Sequence, residues 1–172
     1  MRTGWLRRVG FPALIVLAAA VAVAPSAARS GIPKQVPFHA TADFTLTPAA
    51  VTAPCAPTEL RFNVAVTKGV ATHLGNFTSG DYFTCLNPLT LEFHGRYVFI
   101  AANGDTIEGG YAGRFVATAD PATLGVDAHW SIEGGTGRFA GATGGGAASG
   151  SGTLTGGHLI LDGSISSVGS LR

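Results

Sequence analysis

The 172-residue chain contains little charge: Asp, Glu, Lys and Arg make up 12% of it, and its formal net charge is +1. Disordered chains combine high charge with few apolar residues, and 46% of this chain is hydrophobic, so extensive disorder is excluded. The chain has no basic stripe to neutralise phosphates, so we expect no nucleic-acid partner. Its 25 glycines follow no period of three, which excludes collagen. The length predicts a single domain.

Long apolar runs are also scarce, and the one at Phe11–Ala24 covers 14 residues. A helix needs about 20 apolar residues to cross a bilayer, so we expect no stable membrane anchor. Arginines precede this run and the small residues Ser26-Ala27-Ala28 follow it, an order typical of a cleaved signal peptide. We therefore predict a signal peptide at 1–28, a mature domain at 29–172, and a secreted or periplasmic protein. Because residues 1–28 hold three of the eleven basic and none of the ten acidic residues, the mature charge is −2.

The chain has only two cysteines, Cys55 and Cys85. A reactive or metal-binding thiol needs partner cysteines or a basic setting nearby, and neither is visible in the sequence. In an exported chain, an even number of cysteines predicts disulfide pairing. We predict a Cys55–Cys85 disulfide whose loop of about 30 residues contributes about 3 kcal/mol of stability in the chain-entropy model.

Helical periodicity is absent after residue 34, where nearly every segment alternates apolar and polar residues. Leu60, Phe62 and Val64, for example, alternate with Arg61 and Asn63. The pattern predicts about eight strands, enough to close a sheet on itself and remove its edges. We therefore predict an all-β fold, namely an eight-stranded antiparallel β-barrel. The predicted strands cover 36–46, 60–66, 70–78, 89–101, 106–117, 126–132, 148–155 and 158–166.

Two hairpins allow the strand register to be predicted. Between the two longest strands, a loop at 102–104 with a left-handed Gly104 separates apolar from polar side chains, whereas a shorter loop at Asn103-Gly104 mixes them. For the last two strands, a loop at Gly156-Gly157 keeps the faces separate. The first register pairs Phe99 with Ile107, Tyr97 with Gly109, Gly95 with Tyr111, Leu91 with Phe115 and Glu92 with Arg114; the second pairs Leu154 with Leu159, Gly152 with Leu161 and Ala148 with Ile165.

Aromatic residues alternate with glycines on the apolar face of the two longest strands. Glycine in a strand permits sharp bending and leaves room for neighbouring rings or for a ligand. Such a face predicts either a filled barrel core or a cavity for one small apolar molecule. In the second case, we expect the rings to provide apolar area and the tyrosine hydroxyl groups to orient the ligand. The predicted lining residues are Phe93, Tyr97, Phe99, Tyr111, Phe115 and Trp130.

The most distinctive segment is the glycine-rich stretch at 133–144. Its spacing matches the G-x-G-x-x-G/A dinucleotide fingerprint, but a Ser/Gly-rich strand follows instead of the required helix, which argues against a nucleotide-binding fold. We predict instead a tight reversal in which Phe139 and Ala140 fold back under the end of the barrel. The residues of this structural motif are Gly134, Gly135, Thr136, Gly137 and Phe139.

The motif resembles the Gly-Gly-Thr-Gly-x-Phe turn and the following Ala-x-Gly stretch of the allene oxide cyclase and dirigent-like β-barrel superfamily, which includes exported bacterial proteins. Residues 134–139 and 140–144 carry the resemblance. It implies an eight-stranded antiparallel barrel with an apolar central cavity, often assembled into homotrimers. In plant members the cavity steers a cyclisation or coupling of a reactive small molecule. The matched motif is a turn, so it assigns no catalytic residue to this chain.

The sequence gives less support to metal binding, acid–base catalysis or nucleophilic catalysis. The five histidines, on five predicted strands, lack the spacing of a metal site, and we predict no metal. Polar strand residues such as Glu92, His94 and Asp127 would supply acid–base chemistry only if the polar faces turned inward, and a solvated outer wall or an oligomer contact is the default. No Gly-x-Ser-x-Gly elbow leads from a strand into a helix, so a nucleophile triad is not predicted. The histidines are His39, His73, His94, His129 and His158.

These observations predict an exported β-barrel that binds a small apolar or aromatic molecule in its lumen. The resemblance extends this prediction to a cyclisation or isomerisation that needs no cofactor. The alternative is a non-catalytic structural or interaction protein with a filled barrel core.

Overall fold

The structure is a computed structural model that describes residues 34–166. This part of the chain is almost entirely β-strand, and its one helical element is a 3₁₀ turn at Gly137–Phe139. The predicted signal peptide at 1–28 lies outside the described residues. The strands are β1 (Gln35–Ala49), β2 (Leu60–Ala71), β3 (Gly75–Ser79), β4 (Phe83–Leu86), β5 (Glu92–Ala101), β6 (Thr106–Ala117), β7 (Leu124–Ile132), β8 (Gly134–Gly135), β9 (Gly144–Thr153) and β10 (Gly156–Ser166).

The strands form one antiparallel sheet whose pairings close into a ring of eight positions. Going around it, β1 pairs with β2, β5 with β6, β6 with β7, β7 with β9, β9 with β10, and β10 with β1. The short strands β3 and β4 follow one another between β2 and β5 and share one position. The two-residue β8 extends the sheet beside β6. The predicted all-β, antiparallel fold is confirmed.

The ring has two different ends. At one end, four connections join neighbouring strands, and they lie at 50–59, 87–91, 118–123 and 154–155. At the other end, apolar side chains fill the interior, and Ile107, Phe139 and Ile165 are almost completely buried there. A second, smaller group of buried side chains, Phe62, Leu86 and Phe93, lies towards the first end.

The β5–β6 hairpin has the predicted register. Gly104 has a left-handed φ of +87°, and the predicted pairs from Phe99–Ile107 to Glu92–Arg114 are present. Leu91 precedes β5, but its carbonyl accepts a hydrogen bond of 2.9 Å from the Phe115 N–H. The turn residues and the separation of apolar from polar faces both favour this register, and together they were sufficient to predict it.

The predicted register of the β9–β10 hairpin is wrong. The connecting residues are Leu154 and Thr155, and Gly156 pairs with Thr153 inside the sheet. As a result Leu161 faces Ala148. Gly156 and Gly157 do not form the turn. They allow neighbouring backbones to pack closely, because a Cβ on Gly157 would clash with the opposite strand. The two registers differ by an even number of residues, so every side chain keeps its predicted face.

The predicted third strand at 70–78 is also wrong. β2 continues to Ala71, and the chain turns at 72–74 before β3. The polar Thr67 looks like the end of a strand, but it occupies a β-bulge where the β1–β2 register shifts, and its hydroxyl donates to the Asp43 carbonyl. A bulge holds one extra residue without ending the strand. His73 therefore lies in a turn with a φ of +66° and not in a strand.

The predicted disulfide is confirmed. Cys55 and Cys85 are bonded, with a Cα–Cα distance of 5.3 Å and a sequence separation of 30. Cys85 lies on the outer face of β4, so the bridge holds the 50–59 connection against that strand. The Arg61 guanidinium lies 5.2 Å above the ring of Phe83 beside it. Within the described part of the chain, no helix has the length and hydropathy needed to span a bilayer.

Removing the disulfide tests its contribution to stability. For the paired change Cys55→Ala and Cys85→Ala, we expect the free energy of unfolding to fall by about 3–4 kcal/mol, because the unfolded chain regains the freedom of the closed loop. Urea unfolding followed by circular dichroism measures this loss. The reduced wild-type protein, which keeps both side chains, is the control and should show a similar loss. Unchanged unfolding midpoints in both samples would contradict the prediction.

Candidate functional site

An apolar cavity lies inside the ring, with a volume of about 60 Å³. Its wall includes all six predicted lining residues, which come from β5, β6 and β7. The sequence reasoning missed the contributions of β1, β2, β4, β9 and β10 and of the connections next to β4 and β10. The lining residues are Phe44, Leu46, Phe62, Val64, Tyr82, Thr84, Leu86, Phe93, Tyr97, Phe99, Tyr111, Phe115, Val126, Ala128, Trp130, Ala148, Leu154, Leu159 and Leu161.

The cavity opens at the end of the ring that carries the four short connections. Lining residues there, such as Leu46, Phe115 and Val126, are partly exposed, and Leu154 is 45% exposed. Deeper lining residues such as Tyr97 and Trp130 are buried. We call the open end the mouth.

A cluster of three tyrosines supplies the polar atoms of the cavity wall. The rings of Tyr97 and Tyr111 meet that of Tyr82 edge-on, with centroid distances of 6.3 and 5.6 Å. The Tyr97 hydroxyl donates to the Ser131 carbonyl at 2.9 Å. The Tyr111 hydroxyl donates to the Phe83 carbonyl at 2.8 Å and also contacts the Thr84 hydroxyl. Two of the three phenolic protons are therefore committed to the backbone.

Tyr82 is different, because its side chain interacts with that of Tyr111 and not with a backbone carbonyl in the described part of the chain. The Tyr111 proton already goes to Phe83, so Tyr82 is the donor in its contact with Tyr111, and a ligand acceptor would compete with Tyr111 for that proton. The position of Tyr82 in the cavity wall makes it the group best placed to hydrogen-bond a polar atom of an otherwise apolar ligand.

Burial dominates the electrostatics of the tyrosine cluster. It raises the pKa of Tyr82, Tyr97 and Tyr111 well above the usual tyrosine range, because the phenolate would be removed from water. For Tyr97, the nearby Tyr82 and Glu133 add to the rise in pKa. All three hydroxyl groups are therefore neutral hydrogen-bond donors and not bases at ordinary pH.

Two strand glycines make room for these tyrosines. A Cβ on Gly95 would lie 2.5 Å from the Tyr111 hydroxyl and would also clash with the Phe83 carbonyl. A Cβ on Gly109 would lie 3.0 Å from the Tyr97 hydroxyl and would clash with the Ser131 carbonyl. The alternation of rings and glycines thus lets the Tyr97 and Tyr111 hydroxyl groups reach their carbonyl partners across the sheet.

The sequence reasoning missed Tyr82, Thr84 and Leu86, which all face the cavity. A usable signal was present: the three residues are two apart, and Gly80-Asp81 and Asn87-Pro88 bound the segment. β4 has only four residues, fewer than a typical strand, so alternation alone does not predict it.

The glycine-rich motif forms the reversal that its sequence predicts. Gly134 and Gly135 pair with β6, Gly137 has a left-handed φ of +56°, and the Phe139 side chain is fully buried. The Thr136 hydroxyl accepts a hydrogen bond of 3.0 Å from the Thr106 N–H. The prediction for Ala140 is wrong: it is exposed, and Ala142 is buried in its place. Gly141, with a φ of +74°, turns the chain between them.

The polar strand residues lie on the outer wall. Three of the five histidines pair there with carboxylates, His39 with Asp162, His94 with Glu59 and His158 with Asp43. Glu92, Asp127 and His129 line a shallow groove on the outside of β5, β6 and β7. Cys55, Glu59 and Cys85 place potential metal-ligand atoms close together, but the disulfide occupies both sulfurs.

No protein-family model, curated protein or solved structure matches this chain. The function is therefore argued from the cavity and its tyrosines.

Substituting one of the strand glycines tests the packing of the cluster. We expect Gly95→Ala to lower the free energy of unfolding by about 1–3 kcal/mol, because the new methyl group must displace Tyr111 or the β4 backbone. Gly134→Ala is the control, since its Cβ would come no closer than 3.4 Å to another group. Chemical unfolding of both variants measures the difference, and equal stabilities would contradict the prediction.

Alkaline titration tests the burial of the tyrosines, which are the only three in the chain. Their pKa values are raised in the folded state, so above pH 10 the unfolded state binds fewer protons and the folded state loses stability as the pH rises. We expect tyrosinate absorbance to appear only together with loss of the circular dichroism of the native sheet. Tyrosinate formation near pH 10 in protein that is still folded would contradict this.

Proposed function

We propose that the ring is a β-barrel that binds a small apolar or aromatic molecule in its lumen. The observation that carries the proposal is an apolar cavity whose wall contains the Tyr82 hydroxyl, a donor that no backbone carbonyl of the described residues holds. Ligand sites in proteins are commonly apolar cavities with a few polar groups that fix the orientation of the ligand.

The size of the cavity constrains the ligand. A single water needs about 10–15 Å³ of such space, whereas pockets for drug-sized molecules measure about 300–1,000 Å³. With about 60 Å³ in total, the cavity is smaller than the space of about 150 Å³ that binds benzene, so it accepts a short chain. The rest of a larger ligand lies in the mouth, between Phe44, Phe115 and Leu154. An elongated molecule with a hydrogen-bond acceptor at its inner end fits both constraints.

We further propose that the chain is a member of the allene oxide cyclase and dirigent-like superfamily. The ring of eight antiparallel strands and the buried Phe139 of the glycine-rich turn support this. Homotrimer formation is part of the same proposal. The disulfide and the apolar run at 11–24 support export to a secreted or periplasmic location.

If the barrel is an enzyme, the wall restricts the mechanism to steering. Among the described residues, no Asp, Glu or His lines the cavity, and the tyrosines are held neutral. These residues offer apolar contacts, exclusion of water and a hydrogen-bond donor, which suit a cofactor-independent cyclisation or isomerisation of a reactive molecule held in a folded shape.

The alternative is a structural or interaction protein whose interior only stabilises the fold. The small volume of the cavity favours this second candidate, since aromatic rings already fill most of the interior. In that case the outer wall and the connections would carry the function.

Blocking the cavity distinguishes the two candidates. Ala128→Leu adds volume inside the cavity, whereas Ala147→Leu adds the same volume on the exposed outer face. We expect solvent extraction and mass spectrometry to recover one apolar compound from the purified wild-type protein and from Ala147→Leu, and to recover at least about tenfold less from Ala128→Leu. Matching melting temperatures of the variants show that both are folded.

The absence of any bound compound from the wild-type protein, together with a crystal structure showing a dry and filled interior, would overturn both binding and catalysis. A bound compound that is recovered equally from both variants would place the ligand outside the cavity.

A further inference from the structure

Large apolar side chains that are exposed to solvent gather at the mouth. In residues 34–166, six such side chains are exposed, and five of them belong to or adjoin the connections at the mouth end. Val70 is the exception and lies near the opposite end of β2. The four leucines among the five, which we call the mouth rim, are Leu60, Leu89, Leu91 and Leu154.

The chain holds the most exposed of these leucines in place. Leu89 is 92% exposed, at the tip of the 87–91 connection. The Asn87 side chain accepts hydrogen bonds from the Leu89 N–H at 2.9 Å and from the Thr90 N–H at 3.3 Å. Leu91 adopts a φ of +60°, which is costly for a residue with a side chain. Covering a leucine that a fixed turn holds in water is favourable, so a partner that buries this side chain gains affinity.

The charged groups near the mouth rim have an excess of carboxylates, since Glu92 and Asp120 form no ion pair among the described residues. The Arg114 guanidinium lies 3.7 Å from the Asp127 carboxylate, and that of Arg61 lies over the ring of Phe83. The lysines of the described residues, Lys34 and Lys68, lie away from the mouth, before β1 and in the far half of β2. Arg61 has no carboxylate partner but is held by the Phe83 ring and the Thr52 hydroxyl, so an anionic partner surface would meet mainly carboxylates in this part of the described chain.

We propose that the mouth rim docks on a lipid surface without net charge, such as a zwitterionic bilayer or micelle. The leucines lie at three of the four connections around an opening, with Leu89 and Leu91 on the same one, so a soft surface can cover all of them together. Leu154 belongs both to the rim and to the cavity wall, which makes the apolar path from that surface into the cavity continuous. The closed ring also leaves no long sheet edge for strand addition by a protein partner.

The inference goes beyond the proposed function, since docking does not require that the cavity is occupied. Flotation with phosphatidylcholine vesicles tests it, using the full chain as exported by its host. We expect Leu89→Asp to weaken vesicle binding at least about tenfold, as follows from losing one buried leucine and exposing a charge to lipid. Val70→Asp, at the other end, is the matched control and should bind like the wild type.

A second measurement places the rim itself at the surface. A dye sensitive to polarity is attached to Leu89→Cys, and to Val70→Cys as the control. Vesicles should shift the emission of the first to shorter wavelength and leave the second unchanged. This readout is independent of any contribution that residues 11–24 make to binding.

Several outcomes would overturn the proposal. The first is that the protein does not bind phosphatidylcholine vesicles. The second is that Leu89→Asp binds as well as the wild type and the dye does not shift. The third is that the protein binds only anionic vesicles and that salt abolishes this binding. A dimer in vesicle-free solution that Leu89→Asp dissociates would assign the rim to a second copy of the chain. Loss of ligand in Ala128→Leu with intact vesicle binding separates this inference from the proposed function.

Discussion

The pairing of β1 with β10 is the contact on which the rest of the structure depends. Eleven residue pairs, from Gln35–Ser166 to Thr45–Gly156, join the first and last strands of the described chain and close the ring. Two reciprocal contacts lie across this seam on the outside, His39 with Asp162 at 2.6 Å and His158 with Asp43 at 2.7 Å. Without the seam, two long strands would expose their edges and the cavity would lose a wall.

The closed ring also explains how the interior combines aromatic rings with polar atoms. Buried hydroxyl groups need hydrogen-bond partners within the protein, because burial removes them from water. Gly95 and Gly109 allow Tyr111 and Tyr97 to reach backbone carbonyls, which leaves Tyr82 as the adaptable donor. The result is an apolar space in which a neutral phenol is available and an anionic group is not.

The strand class, the faces of the strands and the β5–β6 register were predictable from local rules. Alternation decides which side chains turn inward, so the six aromatic residues expected in the interior do line the cavity. The β9–β10 register was not predictable, because glycine occurs both in turns and where backbones pack closely. Gly156 and Gly157 lie at a close backbone contact and not in the turn. Local alternation also did not reveal the bulge at Thr67 or the short β4 with Tyr82 before it, since both depend on how β2 pairs with other strands.

The position of the disulfide has a consequence for the order of folding. Cys55 and Cys85 both belong to the first half of the chain, and the strands around them pair over short separations. That half contains both sulfurs and the strands that hold them, so the disulfide can form before β10 is present. The seam must wait for β10, so β1 keeps an open edge throughout synthesis. Until β10 pairs, a chain that is cross-linked but not closed has one unpaired edge on β1, and such edges favour association between chains.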